Sequence, residues 1–269
     1  MICALLVFQR AELPAPLTTL SPWLDMRVRP VGEVVARLEA QRHRRFVKTH
    51  TPLDGIPYDP RVTYLTVGRD PRDVAVSLRH QGTNLRRDVV RRLVATTDGT
   101  PPPSDATGSG PAVDERTFFR RWVDDDTSPH RDLDSLRGVA WQQSRAWERR
   151  DRANVELVHY ADLTRDLAGE MRRLADRLAI EVPERVWPRL VEAATFERMR
   201  QRSTDLVPDE RLGIMHSHAA FFRRGESGGW RTVLTDADLA RYDERLAALA
   251  PPDSTAGWLR WLHHGRVHR

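Results

Sequence analysis

Residues 61–81 read RVTYLTVGRDPRDVAVSLRHQ, and few arrangements accommodate such a run. Its first part is apolar and β-branched, which suits a strand buried in a sheet. The second part turns directly into a helix, with Asp70 as N-cap and Pro71 at the first helical position, where its missing N–H costs nothing. A strand, tight turn and helix in that order is the signature of an α/β fold, a parallel β-sheet flanked by helices.

The rest of the chain repeats this grammar. RFVKTH (45–50) reads as a further strand ending in a polar tip, and VELVHY (155–160) as another. Helices are expected over VGEVVARLEAQ (31–41), with Val31, Val34, Val35 and Leu38 at helical spacing, and over VAWQQSRAWERR (139–150). ADLTRDLAGEMRRLADRLAI (161–180) predicts one long helix, capped by Asp162 or Thr164 and carrying Leu167, Met171, Leu174 and Leu178 on one face. Further helical segments fall at VWPRLVEAATFERMR and DADLARYDERLAALA. MICALLVF reads as the second half of a buried helix, and LPAPLTTLSPW as a proline-rich turn. Residues 96–114, rich in Pro, Gly, Ser and Asp, are too polar to order themselves by burial and read as a mobile surface loop, whose functional version is a substrate lid. No internal repeat or domain boundary is visible, so residues 1–269 read as a single domain.

Charge narrows the choice of ligand. The chain carries 43 Lys plus Arg against 38 Asp plus Glu, a formal net charge of +5. The arginines are interleaved with acids rather than gathered into a basic arm, so an anionic small molecule is expected and nucleic acid is not. No run approaches the roughly 18 apolar residues of a membrane span. One cysteine, Cys3, excludes an internal disulfide framework and suits a reducing, cytoplasmic setting.

Three clusters could carry chemistry. Lys48 is the single lysine of the chain, two residues before His50. At a strand's carboxyl end, where open α/β sheets hold their ligands, it offers a compact point charge that a guanidinium fork does not imitate. Arg69 and Ser77 flank the start of the following helix, whose free N–H groups favour phosphate. Arg223 and Arg224 precede a loop with three glycines among five residues, through which backbone N–H groups can approach an anion. The histidines of HSH (216–218) and WLHHGRVHR lack carboxylate or cysteine partners at ligand spacing, so no metal is expected.

In this order the clusters resemble the cytosolic, PAPS-dependent sulfotransferase family, particularly its bacterial branch, from about Phe8 to Trp261. The family's Lys-Thr-His strand end matches Lys48 to His50, and its Arg-x-Pro-x-Asp-x-x-x-Ser turn matches Arg69, Pro71, Asp73 and Ser77. VHYADL is similar to its Tyr-Glu-Asp-Leu, ATFERM to its Thr-Ser-Phe-x-x-Met, and FFRRGESGGW to its Arg-Lys-Gly-x-x-Gly-Asp-Trp. The resemblance implies a P-loop NTPase-like sulfotransferase fold that moves a sulfuryl group from 3′-phosphoadenosine 5′-phosphosulfate (PAPS) to a hydroxyl or amine of a small-molecule acceptor, without a metal. It implies His50 as general base, Lys48 at the departing phosphate, and Arg69, Ser77, Arg223, Arg224 and Gly225 on the 3′-phosphate. Tyr160 would lie near the adenine and Phe196 would stack on it.

Three positions depart from the pattern: Ala194, Arg224 and Gly229 stand where the family has Thr, Lys and Asp. The family's opening strand and its Tyr-Pro-Lys-Ser-Gly-Thr-Thr-Trp phosphosulfate loop have no counterpart in the sequence, and MICALLVFQ aligns with the back of the helix after them, so an N-terminally truncated chain is expected. The rival readings are a kinase-like phosphoryl transferase and an inactive nucleotide-binding fragment, and a homodimer stays open.

Overall fold

The strand expected at 61–67 forms as β1, Tyr64–Gly68, and pairs in parallel with β2, Val155–His159. Tyr64 stands opposite Val155 and Gly68 opposite His159, so both strands end at the same level. This computed structural model describes residues 1–98, 113–209, 212–252 and 255–266. The expected loop at 96–114 therefore lies mostly outside the described residues.

Around the strands the chain runs as follows. Helix α1 (Ile2–Phe8) precedes two more, α2 (Leu17–Leu20) and α3 (Val31–Glu39). After β1 come α4 (Pro71–Asn84), α5 (Arg87–Asp98), α6 (Glu115–Asp124) and α7 (Leu136–Trp147). Past β2 lie α8 (Tyr160–Arg165), α9 (Leu167–Arg177), α10 (Trp187–Ala193), α11 (Phe196–Gln201), α12 (Ser203–Leu206) and α13 (His218–Phe221). The last two are α14 (Asp236–Leu249) and α15 (Thr255–His264).

The residues fall into two units. The first comprises Met1–His50, Gln81–Gly110 and Leu167–Gly225, and the second Thr51–His80, Pro111–Asp166 and Glu226–Arg269.

The second unit contains the sheet and the aromatic core. Phe119, Trp122, Trp147, Tyr242, Trp258 and Trp261 are buried together, and removing a side chain such as Phe119 from water contributes roughly 1.5–3 kcal/mol. Close packing explains Gly68 at the end of β1, because a Cβ there would fall 2.7 Å from the Trp261 ring. Asp238, buried at the start of α14, accepts from the Thr235 N–H at 3.0 Å and from Arg116 and Arg120 of α6 at 2.6 Å each. Burial alone would raise its carboxyl pKa, but the Thr235 hydroxyl, which also donates to it at 2.7 Å, together with these partners holds it far below the usual range. In the first unit α1 is buried through Ala4, Leu5 and Leu6, as its apolar run predicts. Val207, Ile214 and Met215 form a separate apolar cluster beneath α5.

Several expectations need correction. RFVKTH is not a strand among the described residues; it pairs there through an isolated parallel bridge between Lys48 and Trp23. A ladder needs a neighbouring backbone, and β propensity without one leaves a single bridge. Neither is β1 fully buried, for Val67 remains 59% exposed. On α3 only Val34 and Leu38 are buried, while Val31 and Val35 face solvent.

The long helix expected at 161–180 is two helices, broken at Asp166, whose φ of −147° is not helical. Asp162 is not its cap. The His159 ring caps α8, its Nδ1 accepting from the Ala161 N–H at 3.2 Å, while the buried Asp162 carboxylate accepts from the Arg266 N–H at 2.7 Å. The segment at 186–200 likewise splits at Thr195, which caps α11. Among the described residues no helix is long and apolar enough to cross a membrane.

Candidate active site

Helix α4 begins where the sequence places it. Asp70 accepts from the Arg72 N–H at 2.9 Å, and its own carbonyl receives the Val74 N–H at 3.0 Å, the geometry of an N-cap. Just before it, at the exit of β1, the Arg69 guanidinium lies 4.6 Å above the Tyr160 ring and donates through Nη2 to the Glu226 carbonyl at 3.2 Å. Its Nε is buried with no acceptor among the described residues. Burial raises the Tyr160 pKa and the Arg69 charge opposes that rise.

Asp73, in the first turn of α4, is buried and accepts the Gly228 N–H at 2.7 Å. The bond pins the glycine loop to the start of α4, and Gly228 accommodates it at a φ of +86°. Ser77 is half-buried one turn further along the same helical face. The Arg72 guanidinium is held by both Asp70 oxygens at 2.9 and 2.7 Å and stacked 4.0 Å from the Trp230 ring. Asp73 belongs to the quoted motif, but nothing local signals its partner 155 residues away.

In the first unit Lys48 and His50 are brought together on Trp23. The Lys48 ammonium sits 3.8 Å from the centroid of the indole, and the His50 ring makes a T-shaped contact with the same indole at 4.5 Å. Although His50 as a residue is exposed, partial burial of its ring lowers its pKa; the Lys48 charge lowers it further and Asp25 opposes the shift. Burial lowers the Lys48 pKa too, again opposed by Asp25. Neutral imidazole is thus the favoured form near pH 7, able to accept a proton. The sequence reading missed both residues: Trp23 ends the stretch read as a proline-rich turn, and Asp25 lies just beyond it.

Phe196, at the head of α11, is brought against Gly225, whose φ is +71°; a methyl group at that glycine would overlap the ring. Arg223 is half-buried and Arg224 exposed immediately before the bend. His218, one of the dismissed metal candidates, pairs with the buried Asp209 at 2.9 Å. Among the described residues no three His, Cys, Asp or Glu are grouped to hold a metal ion.

Two parallel strands that run directly into capped helices, with Arg69 at the exit of one and Tyr160 at the exit of the other, define an α/β protein of the open-sheet class. Comparison with known proteins makes this specific. The description of the sulfotransferase domain family matches residues 2–250, and the chain belongs to that family: it is a sulfotransferase. It is 43% identical to a glycolipid sulfotransferase of Mycobacterium bovis over 278 residues, covering 98% of this chain and 83% of that one. A glycolipid sulfotransferase of Mycobacterium tuberculosis is similar to the same degree over 277 residues. Among solved structures, retinol dehydratase in complex with androsterone and the inactive cofactor PAP is 21% identical, with a TM-score of 0.65 over 92% of this chain and 76% of that one. The fold expectation is thereby confirmed.

Proposed function

We propose that the chain moves a sulfuryl group from PAPS to a hydroxyl of a small-molecule acceptor, and that the acceptor is a glycolipid. The acceptor class is supported by the two mycobacterial relatives, which carry that name at 43% identity. The observation that carries the donor assignment is Arg69, whose buried Nε has no acceptor among the described residues. Such a donor is costly to leave unmade, and the 3′-phosphate of PAPS is an acceptor of matching charge and geometry. In the second unit the unpaired Arg69 donor suits a phosphate, and we assign Ser77 to the same phosphate and Tyr160 to the adenine; in the first unit the family resemblance assigns Arg223, Arg224 and Gly225 to the phosphate and Phe196 to the adenine. We read residues 1–269 as one domain, a reading supported by a family match that runs through segments of both units.

PAPS, when bound, supplies a sulfuryl group on a good phosphate leaving group. His50 would accept the proton of the acceptor hydroxyl as its oxygen bonds to sulfur, and Lys48 would balance the negative charge that the departing 3′-phosphoadenosine 5′-phosphate acquires. Incubation of the full chain with PAPS and a panel of glycolipids, read by mass spectrometry, should yield a sulfated product. Turnover that instead requires ATP and magnesium would favour the kinase-like alternative.

Phe196 offers an independent check. Gly225→Ala should displace the ring and strain the backbone, lowering affinity for 3′-phosphoadenosine 5′-phosphate by about tenfold, an equivalent of ~1.4 kcal/mol. Calorimetry that finds wild-type affinity would remove Phe196 from the nucleotide site.

A further inference from the structure

Asp25 lies outside the short motifs quoted for the family resemblance, yet its carboxylate is bonded directly to the tip that bears Lys48 and His50. Oδ2 accepts the His50 backbone N–H at 2.8 Å and the Thr49 hydroxyl at 3.0 Å. Oδ1 accepts the indole N–H of Trp23 at 2.5 Å. Trp23 carries the Lys48 ammonium over its ring and meets the His50 ring in a T-shaped contact. The backbone closes the same circle, because the Leu24 N–H donates to the Lys48 carbonyl at 2.9 Å.

This arrangement matters because the tip has no sheet ladder of its own. A single bridge restrains φ and ψ at Thr49 and His50 less firmly than a ladder would, and a catalytic pair displaced by even ~1 Å loses much of its effect. Bonds to an ionised carboxylate are short and about twice as strong as neutral ones, so one aspartate can restrain what a ladder would otherwise restrain. We propose that Asp25 is a positioning residue: it clamps the Thr49–His50 backbone and the Trp23 indole so that the Lys48 ammonium and the His50 imidazole both stay against that indole. The inference rests on the reading of His50 as the base, and it adds a residue that acts only through others.

Two charges that act on the His50 ring are Lys48 on its own segment and Asp25 on the segment packed against it. Asp25 favours the imidazolium and Lys48 disfavours it. In Asp25→Asn, which keeps the side-chain shape and loses the charge, NMR titration of the histidine-labelled full chain should therefore find His50 protonating at lower pH than in the wild type. Its backbone N–H should exchange with solvent at least about tenfold faster, because a neutral acceptor holds it less firmly. Asp25→Glu, which retains the carboxylate, should move the titration back towards the wild type, with melting temperatures showing that each variant is folded. A His50 titration that stays in place or rises in Asp25→Asn, with unchanged amide exchange, overturns the clamp. Wild-type turnover in a His50→Ala variant would remove the base reading alone, since the titration and exchange measurements do not depend on turnover.

Discussion

Replacing His50 with alanine is expected to reduce sulfuryl transfer by about 10²–10⁴-fold, the contribution of a positioned general base. Affinity for 3′-phosphoadenosine 5′-phosphate should stay near the wild-type value, because the proposed role of His50 is on the acceptor side. The pH profile supplies the sign. Burial and Lys48 both lower the imidazole pKa, so the active, neutral form should persist below the unperturbed value near ~6.5, and activity should fall only as pH drops through that lowered pKa. Lys48→Met removes a charge that disfavours the imidazolium, and so should move the acid limb of the residual activity to higher pH. Turnover in His50→Ala equal to that of the wild type, or an acid limb that ignores Lys48, would show that the proton goes elsewhere.

The second large effect is expected at Arg69. Truncation to alanine removes a charge-assisted donor set worth roughly 1.5–3 kcal/mol per bond to a charged partner, so nucleotide affinity should fall at least about tenfold to a hundredfold. Arg69→Lys keeps the charge but loses the fork and the stacking on Tyr160, and should recover only part of the loss. Because Arg69 also donates to the Glu226 carbonyl, thermal melting must accompany the calorimetry, and a folded Arg69→Ala chain with undiminished affinity would contradict the phosphate assignment.

How far these residues could be read without coordinates depended on how local their causes are. Asp70 and Pro71 announce the start of α4 within a few residues, and α4 begins at Pro71. Tyr160 could be placed at the end of β2 because β-branched residues give way there to helix formers, and it opens α8. The same reasoning failed at 161–180. Apolar spacing continues through Asp166, but Asp162 is drawn into bonds with the C-terminal segment, and the helix breaks where the periodicity carries no mark. At 45–50 the propensity of the segment was legible and its neighbour was not, so a strand was expected where one bridge exists.

Sequence by itself determined the α/β class, the strand-to-helix turn that presents Arg69, and the order of basic motifs that marks a sulfotransferase. Periodicity, caps and short motifs act over a few residues and are written where they act. Only the tertiary structure decided what braces those motifs. Asp73 reaches Gly228 across 155 positions and Asp25 reaches His50 across 25, and such bonds depend on which distant segments meet in space, a matter settled by packing.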